Sequence, residues 1–378
     1  MDRHKIRRPW KDTNFLRRKN RRIDYFASDR LTRWRLFLRG FRKDALNVLA
    51  ADTFAGLGPY LSEIELKRAS RILPKVLAER LIDKTALPDL LPGWAHLIPA
   101  NHILFEGGQA LDPATRAPLE ETALEGLPEH LILKPADGVN GRGVTRVLCR
   151  DGAVEIGPKR FSLAELAAHF EAGGPVIVCT FVNQPPDIAA IFPGAVNTAR
   201  VLSYIGAPGV EPVIAAAALR IGTRLSAPVD NASAGGLSAR IDLASGTLSA
   251  AAGYDRPESR AAGRAVHHSR HPDTGAPIEG VALPGWASIR DSVLKIARAL
   301  PAAPLIGWDL ALTEADPGIM IIEANPDPNV NIHQMHAPLL QDPAFHAFLA
   351  RNDALMRRRA LFPGLRPYRA AARRAATD

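Results

Sequence analysis

Two cysteines, Cys149 and Cys179, are all that a chain of 378 residues carries. They are too few for a disulfide framework, and neither sits in a metal-type pair. They read as buried, reduced thiols. No apolar run is long enough to span a bilayer, and the first residues hold no apolar core of a secretory leader. A soluble, cytoplasmic protein is expected, with peripheral contact to a membrane left open. Heptads and internal repeats are missing. No Gly-Lys-Ser/Thr opens a helix as in a Walker A loop, and no Gly-x-Ser-x-Gly elbow or Cys/His nucleophile motif is present.

What is present is an ordinary globular composition, 47% hydrophobic and 23% charged, long enough for two or three packed subdomains. The net charge of +9 is unevenly spread. Residues 1–44 hold 16 Lys/Arg against 5 Asp, and residues 351–378 hold 8 Arg against 2 Asp, leaving the middle at −8. Basic ends suit nucleic acid, an anionic membrane surface or an acidic partner. An acidic centre argues against a nucleic-acid platform. The run Trp34-Arg35-Leu36-Phe37-Leu38-Arg39 mixes large apolar side chains with arginine, as an interfacial or docking helix would.

The patterning divides the chain into five parts: a basic arm over 1–44, a helical region over 45–115, a small α+β lobe over 116–185, a larger sheet-centred lobe over 186–350, and a basic tail over 351–378. Within the helical region, residues 61–81 are apolar at helical spacing. The small lobe reads strand, glycine-rich loop, strand, helix, strand. Ser162 and Glu165 have capping-box spacing at the start of its helix.

Several constellations could carry chemistry. Lys134 ends a strand, and Gly138, Asn140, Gly141 and Gly143 follow in one loop. Glycine lets backbone N–H groups approach an anion, and the lysine adds a point charge for phosphate. A tight hairpin whose glycines serve only the turn is the plain alternative. Asp309, Glu323 and Asn325 flank the turn Asp316-Pro317-Gly318. If the flanking strands pair, Asp309 faces Glu323, and Asn325 shares a face with Glu323. Three oxygen ligands then meet in an apolar frame, as Mg²⁺ prefers. The alternative is the polar face of an exposed hairpin. Arg200 and Arg220 stand in strand-like contexts, where a guanidinium serves either phosphoryl and carboxylate binding or a structural ion pair. The loop 229–236, with Gly235-Gly236, either admits a ligand near the backbone or is an ordinary turn. Three histidines in residues 267–271 lack a recognisable zinc spacing and read better as a substrate-facing loop or an exposed turn.

The order of these motifs resembles the ATP-grasp superfamily. Val196-Asn197-Thr198-Ala199-Arg200, Val229-Asp230-Asn231 with Gly235-Gly236, His271-Pro272-Asp273-Thr274-Gly275, Ile306-Gly307-Trp308-Asp309 and Glu323-Ala324-Asn325-Pro326 are similar to its sugar-transfer associated group. The resemblance covers about residues 82–342. It implies two α+β lobes clasping ATP, preceded by a helical N-terminal region. By that resemblance Lys134 and the upstream Lys84 hold nucleotide phosphates, under a flap of Gly138, Asn140, Gly141 and Gly143. Residues 178–184, with Thr180, Phe181 and Val182, hold adenine and ribose. Arg200 and Arg220 act on the transferred phosphate or the acceptor. Asp309, Glu323 and Asn325 hold Mg²⁺, with Mn²⁺ as an alternative. One departure stands at the hinge, where relatives usually carry an acid and this chain has Cys179-Thr180-Phe181. The implied activity is ATP-dependent activation of a carboxylate as an acylphosphate for attack by an amine, on a small-molecule or glycan-linked substrate in sugar-transfer or polysaccharide-related biosynthesis. The rivals are a kinase-like phosphotransferase on a sugar or lipid-linked hydroxyl, and a non-catalytic anion-binding module.

Overall fold

The computed structural model describes residues 3–22, 26, 28–49, 51, 53–137, 141 and 143–356. Its framework is two antiparallel sheets. The first contains β1 (Asn101–Glu106), β2 (Gln109–Leu111), β3 (His130–Pro135), β4 (Thr145–Arg150), β5 (Ala153–Ile156), β6 (Lys159–Phe161) and β7 (Val176–Thr180), in the spatial order β2-β1-β7-β3-β4-β5-β6. The β4–β5 hairpin turns at Asp151-Gly152, both at positive φ (47° and 66°), the geometry a two-residue hairpin demands. The helix Leu163–His169 starts on a capping box, Ser162 N–H donating to Glu165 at 2.8 Å and Glu165 N–H donating back to Ser162 at 3.2 Å. Its Leu163, Leu166 and Ala167 pack with Ile103, Leu131, Leu133, Val147 and Val178 into the core of the small lobe.

The second sheet contains β8 (Thr198–Ile205), β9 (Pro212–Ile221), β10 (Leu237–Ile241), β11 (Leu248–Gly253), β12 (Val266–His268), β13 (Leu305–Leu312) and β14 (Ile319–Asn325), ordered β12-β11-β10-β9-β8-β13-β14. Every residue of β8 and β13 is buried, because both faces of this sheet are covered. Ala199 and Val201 face one core with Trp286, Ile289, Val293 and Ile296 of the helix Trp286–Ala299. The alternate residues Leu202 and Tyr204 face a second core with Leu61, Leu66, Phe345 and Phe348.

The N-terminal helices belong to this larger lobe's packing. Leu36, Phe41 and Tyr60 cluster with Ala252, Tyr254 and Ile332. The helix Arg3–Arg22 lies against the helix Glu63–Ala69, where buried Asp12 accepts from Arg68 at 2.9 Å and Arg71 at 3.0 Å. Lys19 donates to Glu63 at 3.0 Å.

One reading of the helical region needs correction. Residues 101–111 are not helical. They are β1 and β2, and β1 pairs with β7, so they belong to the small lobe's sheet. Their partner lies some seventy positions downstream, and short polar-ended strands show little of that locally. The apolar stretch 61–81 is helical as its spacing suggests, in two α-helices. Pro74 has no N–H to donate, so helix Lys75–Ile82 is separate from Glu63–Ala69. The expected tail beyond residue 356 lies outside the described residues, as do Gly138 and Asn140.

Candidate active site

A cleft of about 700 Å³ opens between the two lobes. The first sheet contributes Ile132, Lys134 and Arg146, followed by Cys179 to Gln184 at the hinge. The second contributes Thr198, Arg200, Arg220, Asp309, Glu323 and Asn325. Thus Thr180, Phe181 and Val182 line one end, and the acidic trio lines the other lobe's wall. Gly141 lines the cleft too, whereas Gly143 and Lys84 are not among the lining residues.

The strand register brings the trio together. Asp309 pairs with Glu323 across β13 and β14, and Gly307 pairs with Asn325. On its other side Asp309 pairs with Arg200 of β8. Its buried carboxylate accepts from both Nε and Nη2 of Arg200, the latter at 2.7 Å, and from Arg220 Nη1 at 2.8 Å. Asn325 Nδ2 approaches the same carboxylate at 3.4 Å. Arg220 bridges onward to Asp230 at 2.5 Å, and Asp230 accepts from the backbone N–H of Thr198 at 3.0 Å and from the Thr198 hydroxyl. Arg200 and Arg220 are therefore both lining residues and structural ion-pair partners. Glu323 is paired with Lys84 at 3.2 Å. Lys84 N–H donates to Ala136 O at 3.1 Å, just beyond β3, so this lysine straps the glycine-loop side to β14. Lys134 is buried and forms no ion pair among the described residues.

The hinge is braced by Gln184. Its amide donates to Asn197 O at 2.6 Å and accepts from Asn197 N–H at 2.8 Å, so the side chain completes the backbone where β8 begins. Asn197 is fully buried, accepts from Gly222 N–H at 3.0 Å and serves structure. Arg146 lies 4.3 Å from the centroid of the Phe181 ring, and His102 is 2.9 Å from the Thr180 hydroxyl. Gly141, at φ +66°, lies so close to Val229 that a Cβ would sit 2.9 Å from its side chain. The glycine loop therefore touches the 229–236 loop across the cleft. Gly236 permits that second loop's own tight turn, since a Cβ would lie 2.5 Å from Asp230 O.

The model of the sugar-transfer associated ATP-grasp family matches residues 69–342. The chain belongs to this family. Solved structures similar to this ATP-grasp chain include a D-alanine–D-alanine ligase from Bacillus anthracis, 12% identical with a TM-score of 0.38 over 72% of this chain and 69% of that one. A D-cycloserine synthetase is 16% identical, with a TM-score of 0.39 over 74% and 73%. A RimK domain ATP-grasp protein from Sphaerobacter thermophilus is 12% identical, with a TM-score of 0.37 over 73% and 69%. No curated protein sequence matches it.

In this ATP-grasp chain the electrostatics of the wall are set by burial against arginine. Burial raises the Asp309 carboxyl, but Arg200 and Arg220 override it and hold the group below the ordinary carboxylate range. At Asp230 burial wins over Arg220 and Thr198, and its value is raised. An ionised carboxylate has about four lone-pair positions. Those of Asp309 are met by Arg200, Arg220 and Asn325. The oxygens that remain for a hard cation are Glu323 Oε2 and the Asn325 carbonyl, whereas Asp309, expected as a ligand, is taken up by the arginines. This all-oxygen donor set fits Mg²⁺, which needs few protein ligands beside phosphate and water.

Three features here escape sequence reasoning. The Arg220–Asp230 ion pair joins a strand residue to the 229–236 loop, whose reading gave Asp230 no such role. The Lys84–Glu323 pair joins residues far apart in the chain. Lys19, from the basic arm, lines the cleft. His271, by contrast, is a structural group: it is buried, its Nε2 bonds to Gly222 O at 2.8 Å, and its Nδ1 accepts from Asp273 N–H at 3.1 Å.

His333 lies buried and His336 half-buried behind this wall. Burial, with Arg200 nearby, pushes His333 down to about 3, and burial with His267 nearby pushes His336 down to about 4. Both are neutral in the fold, whereas the unfolded chain protonates them below the ordinary value of 6.5. Their stability contribution is therefore complete above that value and is lost as pH falls from it towards 4. Each histidine contributes a slope of about 1.4 kcal/mol per pH unit through that window. Urea unfolding at about pH 7 and about pH 5 checks this, and His333→Phe is expected to flatten the slope.

Proposed function

We propose that the chain uses ATP to activate a carboxylate as an acylphosphate, which an amine then attacks. The observation that carries this reading is the division of charge across one cleft: Lys134, without an ion pair among the described residues, on the first sheet, and Glu323 with Asn325 on the second. A nucleotide polyphosphate needs both walls.

Lys134 meets the phosphates as a point charge, and Lys84 holds the loop side against β14. The hinge carries no acid, so its backbone reads adenine, with Phe181 backed by Arg146 as an apolar wall. Glu323 and Asn325 would hold Mg²⁺ or Mn²⁺, which supplies charge neutralisation when bound, beside an Asp309 carboxylate engaged by arginine. Arg220 is placed between Asp309 and Asp230, from where its fork orients the transferred phosphate or the acceptor. In the first step a carboxylate oxygen bonds to the γ-phosphorus and the bond to the β–γ bridging oxygen breaks, releasing ADP. In the second an amine bonds to the acyl carbon, phosphate leaves and the amine loses a proton. The chain's task is positioning and charge stabilisation, and no nucleophilic side chain is required.

The experiment is a screen of purified protein with Mg-ATP against carboxylates and amines, reading ADP and free phosphate. A carboxylate-dependent burst of ADP that turns over only when an amine is added is the expected result. ADP formed with a sugar or lipid-linked hydroxyl, without phosphate release, would move the assignment to a phosphotransferase. A role in sugar transfer or polysaccharide synthesis follows the family's description, and glycan-linked carboxylates belong in the first screen.

A further inference from the structure

The helix Arg30–Leu38 has two faces of opposite character. Asp29 caps its start, accepting from Thr32 N–H at 2.9 Å. Leu36 is fully buried with Phe41, Val48 and Tyr254, which fixes the helix on the large lobe. The outward face carries Leu31 and Trp34, which are 54% and 59% exposed and three positions apart. Trp34 is the only aromatic among the exposed large apolar residues of the described chain. Arg30, Arg33 and Arg35 are exposed around it and form no ion pair among the described residues. Arg17 of the preceding helix stacks 5.9 Å from the Phe37 ring, which brings the two basic helices together, and Arg18 and Arg21 are exposed beside it in sequence.

We infer that this face docks on an anionic lipid surface, with Trp34 and Leu31 entering the headgroup boundary and the arginines meeting lipid phosphate. Two exposed apolar side chains fall far short of the roughly 800 Å² per partner that a stable protein interface buries. A membrane needs only shallow apolar insertion added to basic charge, and neither signal suffices alone. Tryptophan's amphipathic ring favours the headgroup level. The guanidinium fork matches phosphate, and each basic side chain near such a surface strengthens binding about 5-fold. The excess of positive charge over residues 1–44, against a net-negative middle, orients that face towards the bilayer.

The test uses the full chain and sedimentation with phosphatidylcholine vesicles, with or without about a third phosphatidylserine. Binding is expected on the anionic vesicles alone and is expected to weaken with salt. Trp34→Ala is expected to weaken it about tenfold, and Arg30→Ala with Arg33→Ala about 25-fold. Bromine-labelled acyl chains should quench a fluorescence component that Trp34→Ala removes. All of these side chains are exposed, so the helix stays anchored through Leu36, and unchanged circular dichroism and ATP turnover serve as controls. Equal binding to both vesicle types, or anionic binding indifferent to all these substitutions, would overturn the inference. So would binding to polyglutamate beads with none to vesicles, which would assign the face to an acidic protein.

Discussion

Glu323→Gln is expected to lower ATP turnover by about 100- to 1000-fold while leaving the fold intact, the scale seen when one preorganised charge-stabilising group is removed. The substitution preserves shape. Its amide oxygen still accepts from Lys84, now 3.2 Å from Oε1, so the strap between the lobes is retained as a neutral hydrogen bond. What disappears is the one negative charge of the trio that makes no arginine ion pair among the described residues. Because Glu323 keeps a quarter of its side chain in solvent, the loss of stability should stay below about 1 kcal/mol. Steady-state turnover and a urea midpoint separate the two effects. A variant that turns over ATP within a factor of about two of the parent would return the non-catalytic binding module to first place.

Asp309→Asn is expected to behave differently, costing about 3–5 kcal/mol of stability, as removal of one partner from a buried ion pair does. Arg200 and Arg220 both point into this carboxylate, and Arg200 and Asp309 are almost wholly buried. An amide accepts on one side only, so one guanidinium keeps its charge without a counterion. Arg220 retains Asp230, whereas Arg200 has no other carboxylate among the described ion pairs. The urea midpoint at neutral pH checks the prediction. If the midpoint is unchanged while turnover is lost, Asp309 is purely a ligand and the arginines are held by something else.

The contrast between these two acids was only half legible in the sequence. The turn at Asp316-Pro317-Gly318, midway between them, placed Asp309 opposite Glu323, and the register agrees. The capping box at Ser162 and Glu165 was equally local and equally readable. Arginine's double engagement of Asp309 was not, because it depends on three strands meeting in the order β9-β8-β13, a non-local fact. The same cause hid β1 and β2 within a stretch read as helical. Lys84 illustrates the limit well. Its motif marked it as a nucleotide lysine, yet its described ion-pair partner is 239 positions away, and the packing of helix Lys75–Ile82 against β14 brings them into contact. The glycine loop is recognisable from composition, but its contact with Val229 depends on how one lobe sits over the other.

The family's matched region begins at residue 69, yet one wall of the cleft begins fifty residues earlier. Lys19 reaches the cavity from a helix pinned by Asp12 to Arg68 and Arg71, at the very margin of the shared core. A fragment trimmed to that core would lose Arg68 along with Asp12, leave the Arg71 guanidinium without its acid and open the cavity on that side. The segment ahead of the matched region, through Lys19 and Leu66, therefore bounds part of the cleft without contributing Lys134 or the acidic trio.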